Sequence, residues 1–115
     1  MASGMKSFVE QLAGHFPELQ PLLQEHLDDN FGELLPTVFF GDLTRLAVDD
    51  YSSGRAEQVQ ALLDYLEESF ATGGPEIREL ISVGFLENLP GRNEANSGIR
   101  DRLGPHLSEE LSRVN

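Results

Sequence analysis

Six prolines, Pro17, Pro21, Pro36, Pro75, Pro90 and Pro105, punctuate this chain, and the apolar residues between them recur at helical spacing. Proline fixes φ and lacks an amide hydrogen, so it fits the first turn of a helix and interrupts one anywhere else. A chain with this pattern folds into short helices that start or stop at its prolines. No stretch shows the period-two alternation of a strand.

The stripes follow directly. Phe8, Val9, Leu12 and Phe16 define a first helix that Ser3 or Ser7 would cap, and Pro17 ends it. Leu19, Leu22, Leu23 and Leu27 define a second, with Pro17 and Pro21 in its first turns and an end near Asp28-Asp29-Asn30, before Gly32. Leu34-Leu35-Pro36 opens a third, with the stripe Leu35, Val38, Phe39, Leu43, Leu46 and Ala47. Its internal Gly41 costs up to about 1 kcal/mol relative to alanine. Tyr51-Ser52-Ser53-Gly54 reads as a loop. Val59, Leu62, Leu63, Leu66 and Phe70 share one face of a fourth helix, with Glu57, Asp64, Glu67 and Glu68 largely opposite.

A fifth helix starts at Pro75 and carries Ile77, Leu80, Ile81, Phe85 and Leu89, widened by Val83 and Leu86; a helix apolar on two sides is expected at the centre. Within it, Glu87-Asn88 is expected to cap or bond a neighbouring backbone. The competing reading makes the segment an exposed docking edge, together with Arg92 and Asn93. The last helix begins near Ser97, uses Ile99, Leu103, Leu107 and Leu111, and must kink or split at Gly104-Pro105. The fold class is therefore all-α: a single helical domain over residues 1–115, with residues 1–4 a disordered lead-in. It is a compact bundle of about six short helices, the alternative being HEAT-like hairpins of about 38 residues per pair.

Charge narrows the function. The 115 residues carry 20 Asp and Glu against 8 Lys and Arg, a net charge of −12. Residues 1–54 hold nine acids and two bases, residues 55–89 seven and two, and residues 90–115 four of each, so the whole imbalance precedes residue 90. Such a surface repels phosphate backbones, which argues against direct nucleic-acid binding. It attracts basic proteins. No segment resembles a signal peptide or is long and apolar enough to span a bilayer, which gives a cytoplasmic expectation with no membrane partner.

The residues give no catalytic signature. With no cysteine, thiolate chemistry and disulfides are excluded. His15, His26 and His106 are dispersed; His15-x-x-Glu18 is broken by Pro17, and His26 beside Glu25, Asp28 and Asp29 reads as a solvated helix end before it reads as a weak cation site. Gly73-Gly74-Pro75-Glu76 lacks the lysine of a phosphate cradle and reads as a turn. No enzyme activity, metal or cofactor is expected. Asp28-Asp29 and Asp49-Asp50 fall near helix C-termini, where the macrodipole disfavours acids. Placement against local preference makes Asp28, Asp29, Asp49 and Asp50, together with Glu33 of the Asp28-Asp29 cluster, the candidate partner-binding residues.

Three segments carry a resemblance: Phe16-Pro17-Glu18-Leu19, Asn30-Phe31-Gly32-Glu33-Leu34-Leu35-Pro36, and Ile81-Ser82-Val83-Gly84-Phe85-Leu86-Glu87-Asn88-Leu89. Over residues 8–112 the chain resembles small uncharacterised bacterial proteins similar to the acidic immunity proteins encoded beside polymorphic toxins. The resemblance implies a binder that occludes a basic toxin domain and brings no catalytic residues. The alternative is a general protein-interaction module of helical-repeat type that binds through an apolar groove. The oligomeric state stays open.

Overall fold

The computed structural model describes residues 4–114, and no strand occurs among them. Helix α1 (Gly4–His15) is followed by a 3₁₀ turn, Pro17–Leu19, that runs into α2 (Gln20–Asp29). Next come α3 (Pro36–Ser52), α4 (Ala56–Thr72) and α5 (Pro75–Glu79). Without leaving helical geometry, α5 passes into a π-helical segment, Leu80–Phe85, and a 3₁₀ turn, Leu86–Asn88. A further 3₁₀ segment, Ser97–Arg102, precedes α6 (Pro105–Val114). The all-α expectation is met. Pro17, Pro21, Pro36, Pro75 and Pro105 each stand at the first or second position of a helical element. Gly104-Pro105 splits the last helix as expected. Of the expected lead-in, residues 1–3 and the candidate cap Ser3 lie outside the described residues. Gly4 is the first residue of α1, and Ser7 is inside that helix. The expected loop at Tyr51-Ser52 is the last turn of α3.

The π segment lies at the centre. Leu80, Ile81, Phe85 and Leu86 are buried, and they pack chiefly against α3, with α6 also against them and α1 and α4 against the α5 turn that precedes them. A middle element surrounded on several sides fits a compact bundle and not a row of hairpins. A π turn adds a residue to each hydrogen-bonded loop, so residues four and five apart share a face. Leu80 with Gly84 and Phe85, and Ile81 with Phe85 and Leu86, use that spacing to send nearly every side chain inward.

The same crossing rearranges α3. Val38 is half-exposed, whereas Phe40 and Thr44, outside the expected stripe, are buried. The reason lies opposite them. A Cβ on Gly84 would stand 2.6 Å from Phe40 Cβ, so only glycine lets the two backbones approach. Thr44 Oγ1 lies 2.7 Å from the Phe40 carbonyl and 3.2 Å from that of Gly84, and Asn88 Nδ2 donates to the Gly84 carbonyl at 2.8 Å. The carbonyl is thus satisfied inside the core, where an unpaired one would cost about 1–3 kcal/mol. Asn88 bonds its own segment, not a neighbour's backbone. Because Phe85 and Leu86 are fully buried, the competing reading of an exposed docking edge is corrected.

Two helical glycines therefore have opposite roles. Around Gly41 an added Cβ meets nothing within 4 Å. Gly41→Ala is expected to stabilise by about 0.5–1 kcal/mol, through helix propensity alone. Gly84→Ala is expected to destabilise by about 1–3 kcal/mol by overpacking the crossing. Urea unfolding of the two variants, compared by midpoint at constant slope, checks both signs.

Candidate functional site

Three of the acids of interest, Asp28, Asp29 and Glu33, flank the turn where α2 hands over to α3, and Asp49 and Asp50 lie near the far end of α3. α2 ends on Asp28 and Asp29, its C-cap is Asn30, and the chain then turns through Phe31 and Gly32, both at positive φ, before α3 begins at Pro36. His26 holds this turn in place. Its ring is buried, and Nε2 accepts the Leu35 amide hydrogen at 3.0 Å, so the neutral ring carries its proton on Nδ1. Asn30 Nδ2 donates to the His26 carbonyl at 2.7 Å, and the His26 ring meets Phe39 edge-on at 5.8 Å. The expectation of a solvated His26 is corrected: the amide of Leu35, the N-cap of α3, gives it a partner.

The five candidate residues occupy four places. Asp28 is exposed and accepts from Gln24 Nε2 at 3.0 Å. Asp29 and Asp49 both line a cleft between α2 and α3, which Glu25, His26, Asp42 and Arg45 also line. Arg45 pairs with Asp42. Glu33 faces a different cleft, on the other side of the turn, with Lys6, Glu10 and Leu34. Asp50 points away from Asp49, beside Phe16, Leu19 and Val59, and pairs with Arg55 at 3.0 Å. Asp28, Asp29, Glu33 and Asp49 thus remain outside the ion pairs found among the described residues, while Asp50 is neutralised. The sequence names Glu25 only as a neighbour of His26 and gives no role to Asp42 or Phe31; Glu25 and Asp42 line the same cleft.

A perturbed carboxyl is where chemistry would first be sought, and Glu67 is one. Burial alone would raise its pKa. The amide hydrogens of Leu107 and His106 and the His106 ring outweigh burial and hold it below the usual carboxylate range. Those partners show that its role is structural. Glu67 Oε1 accepts from Leu107 N–H at 2.9 Å and Oε2 from His106 N–H at 3.0 Å, so an α4 side chain caps the first turn of α6. An acid there also complements the helix dipole. The buried Ser82 hydroxyl donates to Glu110 at 2.9 Å, with no histidine to activate it as a nucleophile. Among the described residues no three His, Asp or Glu side chains group so as to hold a metal ion. No helix among them is long and apolar enough to cross a membrane.

The chain matches the family described as "Domain of unknown function (DUF7674)" over residues 9–114, and it belongs to that family. No curated protein and no solved structure matches it.

Replacing the Glu67 cap should weaken the fold in a pH-dependent way. Glu67→Gln is expected to cost about 1–2 kcal/mol near neutral pH. A carboxyl with a lowered native pKa stabilises the fold fully above its unfolded value and loses that contribution as pH falls through the native one. The gap between wild type and Glu67→Gln should therefore close on acidification; unfolding curves at a series of pH values measure it.

Proposed function

We propose that the chain is a stoichiometric binding protein, not an enzyme, and that it neutralises a basic protein by occlusion, as immunity proteins do toward a toxin in the cytoplasm. The observation carrying this reading is the set of acids at the end of α2, in the α2–α3 turn and near the end of α3 that lack counter-ions. Asp28, Asp29, Glu33 and Asp49 stand apart from the ion pairs found among the described residues, and Asp29 and Asp49 share a cleft with Glu25 and Asp42. Asp28 and Asp29 close α2, and Asp49 lies in the last turns of α3, where the helix dipole offers acids no stabilisation. Their use is therefore sought outside the chain. A field of one sign speeds encounter with a surface of the other and is weakened by salt.

The partner to test is a toxin domain encoded by the adjacent gene, mixed with this protein in a biosensor or stopped-flow experiment. A 1:1 complex is expected, with kon falling about 10-fold or more between low and high salt. In the quadruple variant Asp28→Asn, Asp29→Asn, Glu33→Gln, Asp49→Asn, kon should fall and lose most of its salt dependence. A salt-independent kon would point to an apolar groove and to the adaptor reading. Failure of any adjacent-gene product to bind would remove the immunity reading.

A further inference from the structure

Between the acids of the α2–α3 turn stands a side chain for which the fold has no use. Phe31 is as exposed as in an isolated extended peptide (102 %). It follows the C-cap of α2 with φ of +55°, at the position where glycine is usual because a Cβ is disfavoured there. Two penalties coincide on one residue: a large apolar ring left in water and a left-handed backbone. Such coincidences cluster at functional sites.

The turn that carries Phe31 is well held. Gly32 N–H donates to the Leu27 carbonyl at 2.7 Å, and Glu33 N–H donates to the Asn30 carbonyl at 3.0 Å. Leu35 N–H is anchored on the His26 ring, and the Asn30 side chain on the His26 carbonyl. Phe31 is thus presented on a pinned loop, with little ordering left for a partner to impose. Val38, the next most exposed large apolar side chain, lies in the first turn of α3, close along the chain.

We propose that Phe31 is an aromatic anchor that seats in an apolar pocket of a protein partner, with Lys or Arg on the rim of that pocket. The inference rests on the binding function above and adds to it the residue that grips and the chemistry of what it grips. Charge complementarity chooses the occupant. Asp28, Asp29 and Glu33 flank Phe31 along the chain, outside the ion pairs found among the described residues. They would repel a second copy of this −12 chain and any anionic headgroup. They would meet basic side chains around an apolar pocket favourably. An aromatic ring contributes a large contact area at a low entropy cost, and buried anchors of this kind dominate interface energies. The anchor then governs dissociation and the acids govern encounter.

Phe31→Ala and the triple variant Asp28→Asn, Asp29→Asn, Glu33→Gln separate the two, using the adjacent-gene toxin domain as the probe. Phe31→Ala should raise koff about 30-fold or more while leaving kon and its salt dependence in place. The triple variant should lower kon with a smaller effect on koff. Salt-dependent binding of the wild type with koff unchanged in Phe31→Ala would overturn the anchor and leave the binding function standing. No binding by the wild type would overturn both.

A partner-free measurement gives an independent check. If Phe31 serves only binding, Phe31→Gly should raise Tm by about 4 °C, because glycine relieves the left-handed position. A fall in Tm would show that the ring supports the fold and would overturn the proposal. A dimer of the wild type that Phe31→Ala dissolves in sedimentation would make a second copy the occupant, and would overturn it too. The same holds for phosphatidylcholine vesicles that pellet the wild type but not Phe31→Ala.

Discussion

The close approach of α3 to the π-helical segment at Gly84 sets the positions of most other elements. Removing one side chain at Gly84 lets Phe40 settle against bare backbone, and Thr44 and Asn88 then share the Gly84 carbonyl. With α3 held there, its adjoining face accepts α2 through Phe39 and the His26 ring. The α2–α3 turn, and every acid on it, is therefore positioned from the core outward. Packing, more than local preference, supports that turn; a free loop of the same sequence would not hold Phe31 in a left-handed conformation.

The division of charge follows the division of structural work. Of the carboxylates that act within the fold, Asp42, Asp50 and Glu110 pair with arginines, and Glu67 meets the His106 ring and caps a helix 39 residues further along the chain. The acids at the end of α2 have none of these duties. Residues 90–115, with balanced charges, serve the core through Ile99, Leu103, Leu107 and Leu111.

Much of the fold was legible because proline leaves a helix few choices. Pro36, Pro75 and Pro105 open their helices because a fixed φ and a missing amide cost nothing at the first position. The inward face of α3 was less legible. Val38 and Phe40 suit a helical stripe equally well, and what decides between them is a glycine more than forty residues away. The π turn escaped for a similar reason, since its spacing of four and five overlaps that of a broad apolar helix. In the candidate site, the acid pairs were visible in the sequence, but nothing local told Asp49, which faces a cleft, from Asp50, which pairs with Arg55. His26 needed a backbone amide nine residues on, and Phe31 needed its backbone angle, before either had a meaning.

The π segment also confines a difference in residue count to the centre of the chain. Over Leu80–Phe85 the helix holds more residues in one turn than an α-helix does. A chain one residue shorter there closes the same turns with ordinary helical bonds, because five residues of α-helix sweep about 500°, nearly what the six of the π segment sweep. Leu86 and Leu89 then keep their directions. A one-residue gap between Pro75 and Pro90 in a related sequence therefore marks the loss of the π turn and not a different fold core.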